Sequence, residues 1–216
     1  MSGLAASWVG RKKQTLRASE QDRPDVAEDR DISGREIAMI DPSRLVFMDE
    51  TGILTTMTRR FARAVIGDRA CGSAPANGTR LTVLGALSCD GMVGVMTVPN
   101  GTTAVVFVDF LKTTVLPFLQ EHKPDGILVM DNLSAHKNKA VKQAIEDAGL
   151  TLHYLPRYSP DFSPIEPCWS KIKTFLRSAA ARTVETLNTE LGNAVASVTS
   201  QDARAWFLHC GYSRPN

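Results

Sequence analysis

The sequence predicts an α/β domain in which a mixed five-stranded sheet is flanked by helices. Two observations lead to that fold class. Short apolar runs and helical apolar stripes follow one another in the order strand, strand, strand, helix, strand, helix, strand, helix. The second and third runs are joined by a hairpin signal and the later ones by helix-length connections, so antiparallel pairing gives way to parallel crossovers along the chain.

Residues 1–43 are polar, charged and poorly patterned. Breakers at Gln21-Asp22-Arg23-Pro24-Asp25 and Ile40-Asp41-Pro42-Ser43 make them an extended or partly helical arm, a linker to a domain spanning 44–212. The first strand covers about 44–49. A long arginine-rich connection, punctuated by Gly67, Gly72, Pro75 and Asn77-Gly78, leads to a second strand at about 80–88. Cys89-Asp90-Gly91 turns the chain into a third strand, Met92–Val98. Thr102 or Thr103 caps a helix running to about Gln120, with Val106, Phe110, Leu111 and Val115 as its apolar stripe. A fourth strand at 126–131 is followed by a helix from about Ser134 to Ala148 that stops at Gly149. A fifth strand at Thr151–Leu155 and the loop Pro156–Pro164 deliver the chain to a helix beginning near Glu166. This is the ribonuclease-H-like order, in which the first and fourth strands lie side by side.

With 216 residues, 43% of them hydrophobic and 22% charged, the chain can bury one good core with a loosely attached extension. No apolar stretch approaches the length of a membrane span and no apolar signal region opens the sequence, so a soluble, cytoplasmic protein is expected. The four cysteines form no CxxC pair, which favours reduced, mostly buried thiols over disulfides or a zinc site.

The acids carry the chemistry. Leu45-Val46-Phe47-Met48-Asp49 and Ile127-Leu128-Val129-Met130-Asp131 are apolar runs ending abruptly in carboxylates, which places both aspartates at strand ends where the core opens to water. Glu166 follows in Ser163-Pro164-Ile165-Glu166-Pro167. Taken singly, each aspartate also fits a turn former or helix cap, and Ser163-x-x-Glu166 also fits a capping box. Glu50 belongs on the opposite face of the strand from Asp49. Jointly, three acids at one end of a sheet suit a divalent cation.

In the last helix Ile165, Trp169, Ile172 and Leu176 share one face and are core, whereas Glu166, Ser170, Lys173 and Arg177 share another. That second row starts acidic and becomes basic, as suits a helix lying along a nucleic-acid backbone with its acid at the metal. Arg11-Lys12-Lys13, Arg59, Arg60 and Arg63, Lys137, Lys139 and Lys142, and Lys171, Lys173 and Arg177 form basic clusters in a chain of net charge only +2. Two of them directly follow Asp131 and Glu166, and lysine and arginine beside catalytic acids are what phosphate contacts require, although each cluster alone also fits a solvated face.

Phe47-Met48-Asp49-Glu50-Thr51-Gly52, Asp131-Asn132-Leu133-Ser134-Ala135-His136-Lys137 and Leu155-Pro156-Arg157-Tyr158-Ser159-Pro160-Asp161-Phe162-Ser163-Pro164-Ile165-Glu166-Pro167-Cys168-Trp169 resemble the catalytic blocks of DDE transposases. They look most like the bacterial insertion-sequence branch of the mariner superfamily. The 34 residues between Asp131 and Glu166 match the separation typical there, and the likeness runs from about Gln14 to Tyr212. The resemblance implies that Asp49, Asp131 and Glu166 bind two Mg²⁺ or Mn²⁺ ions, with Asn132, His136 and Arg157 in support. The basic clusters and the polar row of the last helix make Arg59, Arg60, Lys137, Lys139, Lys173 and Arg177 the expected DNA contacts. The resemblance also implies strand cleavage at element ends and strand transfer into target DNA, a homodimer on DNA, and a bacterial, nucleoid-associated location. Complete family members carry an N-terminal helix-turn-helix region. No pair of short amphipathic helices fits before Asp49, so an upstream frame encoding that region, or a truncated copy, is expected.

Other readings share parts of this pattern. A ribonuclease-H-like nuclease or resolvase keeps the acids and fold without a reason for the third block. A silent DNA-binding remnant keeps fold and basic surface, but has no use for intact acids. A haloacid-dehalogenase-type phosphatase needs an acid where this chain has Thr51.

Overall fold

A computed structural model describes residues 17–99, 101–132 and 139–213. Its sheet contains β1 (Leu45–Leu54), β2 (Arg80–Ser88), β3 (Gly91–Pro99), β4 (Ile127–Met130) and β5 (Thr151–Tyr154), in the spatial order β3-β2-β1-β4-β5. β1–β2 and β2–β3 pair antiparallel, and β1–β4 and β4–β5 pair parallel. This is the mixed sheet expected from the element order.

The described helices are α1 (Pro24–Ala38), α2 (Ala104–Phe110), α3 (Leu116–His122), α4 (Lys139–Asp147), α5 (Ile165–Ala179), α6 (Val184–Ala196) and α7 (Ser200–His209). Most of their ends have a local cause. Thr103 caps α2 by accepting from the Val106 N–H, α4 is followed by Gly149 in the left-handed region, and Thr199 and Asp202 form a capping box on α7. The single helix expected over about 103–120 is divided by a π-helical stretch, Leu111–Val115. Pro117 explains it, because proline cannot donate back to Thr113 and its ring crowds that carbonyl, so the ladder slips by one residue. The region after α5, for which the sequence had suggested no elements, supplies α6 and α7.

Side-chain alternation along β1 divides the core into two. Val46 and Met48 face a cluster built with Phe107, Phe110, Leu111, Val115 and Leu119 of the 104–122 helical region and with Val141 and Ile145 of α4. Leu45, Phe47 and Ile53 face the other cluster, with Trp169, Ile172 and Leu176 of α5, Leu187 and Leu191 of α6 and Phe207 of α7. The result is three layers with the sheet in the middle. Phe47 meets Phe207 edge-on at 5.3 Å and Tyr212 at 5.1 Å between centroids, which fastens the C-terminal helix to the central strand.

β1 runs five residues beyond the strand end that the sequence suggested. Asp49 therefore sits within a strand, paired across to Gly85 of β2, and not at its tip. The apolar run ends at Asp49, but backbone pairing to β2 continues through Leu54, which polar side chains do not prevent in a strand with one face open.

If α7 is part of the core, Phe207→Ala should lower unfolding free energy by about 3–5 kcal/mol, the range for deleting a buried aromatic side chain. Urea denaturation followed by circular dichroism measures this, and a loss below about 1 kcal/mol would show α7 to be peripheral.

Candidate active site

β1 and β4 place the two aspartates. The last parallel pair is Phe47 with Val129, and the same register carried two places further sets Asp49 opposite Asp131, which follows directly on β4. Because residues i and i+2 share a strand face, Asp49 points with Phe47 toward the α5 layer, and Glu50 lies on the far side, as expected. Glu166 enters from the first turn of α5. No side-chain cap closes that helix, so Glu166 is not spent on a capping box.

All three acids line one pocket of about 340 Å³. Its wall is completed by Met48, Met130 and Asn132, and by Leu155 through Pro160 with Ser163. Burial pushes the Asp49 carboxyl up to about 6, assisted by the negative charges of Glu166 and Asp131 and opposed by the Glu50 backbone N–H and the Trp169 indole. Glu166 reaches solvent at the rim, yet its surroundings also raise its pKa, mainly by desolvation, with Lys173 pulling it back and Asp131 pushing it further up. The Oδ1 of Asn132 is buried and has no hydrogen-bond partner among the described residues.

These groups suit a hard cation. The donors are carboxylate and amide oxygens, and the elevation of Asp49 and Glu166 by their acidic neighbours would be relieved by positive charge. No three His, Cys, Asp or Glu side chains among the described residues close into a preformed cage.

The loop from β5 to α5 is held from the other side by the polar N-terminal segment. Arg30 of α1 donates to both Asp161 carboxylate oxygens at 3.0 and 2.7 Å and to Ser159 Oγ at 2.6 Å, and stacks 4.7 Å from the Phe162 ring centroid. Gln21 donates to the Tyr158 carbonyl at 2.6 Å. Tyr158 needs the support, since its φ of 57° is left-handed backbone that costs a non-glycine residue of order 1 kcal/mol or more. The Asp161 carboxyl is raised by burial, and its hydrogen bond and ion pair with Arg30 outweigh that to leave it below the usual range. Helix α1 thus braces a wall of the pocket.

The remaining expected residues divide. Arg157 lines the pocket and Asn132 stands beside Asp131, whereas His136 and Lys137 lie outside the described residues. Lys173 and Arg177 are half-buried along α5. Desolvation lowers the pKa of Lys173, which also feels the charges of Glu166, Arg177, Asp49 and Arg80. Arg177 is lowered by desolvation and by the nearby charge of Arg60. Arg60, Lys173 and Arg177, joined by the unanticipated Arg80, therefore make one positive stretch that leads to the acids. Arg59 and Lys139 are exposed and do not line the pocket. Lys171 is turned away to the Ser197 carbonyl and to Asp202, 2.9 and 2.5 Å off. Sequence reasoning also missed Arg30, Gln21 and the polar contact of Trp169; only the last left a signal, because a buried indole N–H requires an acceptor.

A sheet of order β3-β2-β1-β4-β5, with helices on both faces and acids from β1, the end of β4 and α5 gathered at one opening, is a ribonuclease-H-like catalytic domain. The chain belongs to the DDE superfamily endonucleases, whose family pattern it matches over residues 44–188. Its fold is similar to the chain in the Mos1 strand transfer complex, with TM-score 0.76 and 18% identity over 94% of this chain and 63% of that one. It is similar to the Mos1 mariner paired end complex with Mn, with TM-score 0.76 and 17% identity over 94% of this chain and 64% of the other. It is also similar to the catalytic domain of Mos1 mariner transposase, with TM-score 0.65 and 16% identity, covering 94% of this chain and 93% of that domain. The chain thus spans less than two thirds of the length of the Mos1 chains in those complexes and nearly all of the isolated catalytic domain. No curated protein sequence matches it. Among the described residues no helix is long and apolar enough to cross a membrane.

The buried charge at Asp49 has a stability consequence of definite sign. Its folded pKa of about 6 lies above the usual 3.8, so the metal-free folded protein keeps a proton that the unfolded chain releases, and stability falls as pH rises through that window. Asp49→Asn should therefore stabilise the chelator-treated protein at about pH 7 by up to about 3 kcal/mol, the free-energy equivalent of that difference, and lose the advantage near pH 4. Urea titrations at the two pH values measure it; an equal effect at both would remove charge burial as the cause.

Proposed function

We propose that this chain is the catalytic part of a transposase, which cuts DNA strands at element ends and joins them to target DNA using two bound Mg²⁺ or Mn²⁺ ions. The observation that carries this reading is the delivery of Asp49, Asp131 and Glu166 to one pocket by a parallel strand pair and the helix beside it. Membership of the DDE superfamily endonucleases supports it, as does the likeness to a strand transfer complex and to a paired end complex with Mn.

Asp49, Asp131 and Glu166 would hold the metals, with Asn132 beside them. Bound there, divalent ions activate the attacking oxygen and stabilise the leaving oxygen of an in-line phosphoryl displacement. The protein's own groups position the strand. Lys173, Arg177, Arg60 and Arg80 supply positive charge along the approach to the acids, where phosphates would lie. Arg157, on the loop braced by α1, offers the pocket a cation from the opposite wall. With water as nucleophile the reaction is cleavage; with a freed 3′-hydroxyl it is strand transfer, so the same acids serve both steps.

Phosphate contacts position DNA but do not read its sequence. Selection of element ends would come from a helix-turn-helix partner, including one encoded in an upstream frame, and synapsis of two ends from a homodimer on DNA. A cytoplasmic location on the bacterial nucleoid follows from that role.

Asp49→Ala, Asp131→Ala and Glu166→Ala should each reduce Mn²⁺-dependent nicking of a supercoiled or element-end substrate below detection while circular dichroism stays near wild type. Robust nicking by folded Asp131→Ala would reject the proposal. Replacing Lys173 and Arg177 together by Gln should weaken duplex binding about equally across sequences and reduce the slope of log K against log salt by about 0.9 per lost phosphate contact. Fluorescence anisotropy at several salt concentrations tests this, an unchanged slope marking the pair as solvated surface.

A further inference from the structure

Trp169 is only 2% exposed and packs between α5 and the sheet, as an apolar core residue would. Phenylalanine or leucine could fill such a place. The indole, however, donates its Nε1–H to Asp49 Oδ2 at 3.0 Å. The reach depends on a gap in β2. Gly85 stands directly across from Asp49 in the β1–β2 register, and a Cβ there would come within 2.4 Å of Trp169 Cη2 and 2.8 Å of Cζ2. The missing side chain lets the ring lie against the strand and bring its N–H to the carboxylate. Three residues earlier, the same helix carries Glu166.

We propose that Trp169 is a positioning residue for the metal site, its N–H fixing the orientation of the Asp49 carboxylate and tying it to the helix that presents Glu166. The proposal rests on the reading of Asp49 as a metal-binding acid. An ionised carboxylate has about four lone-pair directions, so the Trp169 bond at Oδ2, together with the Glu50 backbone N–H, leaves others for a cation while removing the freedom of the group to swing. Outer partners of this kind typically change metal affinity or activity by about 10–100-fold when removed. Gly85 belongs to the same device, because any side chain there would push the ring away.

The test uses the full chain and Mn²⁺ alone, with binding followed by electron paramagnetic resonance and by calorimetry. Trp169→Phe removes the donor and some volume. Replacing Trp169 with 3-benzothienylalanine, in which sulfur stands for the N–H, removes the donor at nearly constant shape and carries the test if the phenylalanine variant does not fold. The expected result is Mn²⁺ affinity about 10-fold or more below wild type at an unchanged melting temperature, with DNA nicking restored by raised Mn²⁺. A benzothienyl variant that binds Mn²⁺ within twofold of wild type overturns the proposal. Asp49→Ala separates the two layers of inference: if wild type and Asp49→Ala bind Mn²⁺ alike, the metal-site reading itself fails, whereas affinity lost in Asp49→Ala and kept in the benzothienyl variant defeats only the role of Trp169.

Discussion

The parallel register of β1 on β4 is the constraint on which the site depends. Phe47 opposite Val129 is the last pair of that ladder, and two residues further along each strand direction stands an aspartate. A slip of one residue would turn Asp49 toward the α2–α4 layer and present Glu50 in its place, because side chains alternate strictly along a strand. The apolar residues that precede each aspartate prevent the slip. Val46, Met48, Leu128 and Met130 belong to one core, and Phe47 and Val129 to the other, so any change of register would bring residues chosen for one layer into the other. Hydrophobic packing fixes the chemistry although no apolar group takes part in it.

Gathering like charges at a half-buried opening works against folding, and the surroundings show how the cost is contained. Burial and the other two acids raise the Asp49 pKa; the Glu50 amide and Trp169 oppose them. Glu166 is countered by Lys173 two turns further along α5, a lysine that itself sits in surroundings that disfavour its charge. The pocket is therefore left short of positive charge, and any cation entering it would relieve the elevation of Asp49 and Glu166.

Much of this was legible in the sequence, for reasons that vary by element. The apolar runs at 45–48 and 127–130 announced buried strands because they are short, branched or bulky, and bounded by polar residues. The four-three-four spacing from Ile165 to Leu176 announced the buried face of α5 just as directly. The extent of β1 was hidden, since pairing past Asp49 is a matter of backbone and not of side-chain polarity. The slip in the helix over 104–122 was visible only as Pro117. Arg30 and Gln21 could not have been assigned, because their partners lie more than 120 positions away in a loop whose left-handed turn at Tyr158 no local pattern demands. Trp169 was legible as core and illegible as a donor: periodicity reports which face a residue occupies and says nothing of where its one polar atom is aimed.

Helix α1 alters what it means for this domain to be modular. By composition the segment before β1 is a tether, the kind of sequence that evolution and protein engineering splice freely. By contact it is a splint, since Arg30 and Gln21 hold the loop that carries Arg157 and leads to Glu166. A chimaera joined at the start of β1 would keep every acid and all five strands, yet leave Asp161 without its counter-charge and the Tyr158 turn without its brace. The safe junction for an exchange falls before Gln21, because α1 contributes the buried Val26 and Ile37 to the core as well as Arg30 to the loop.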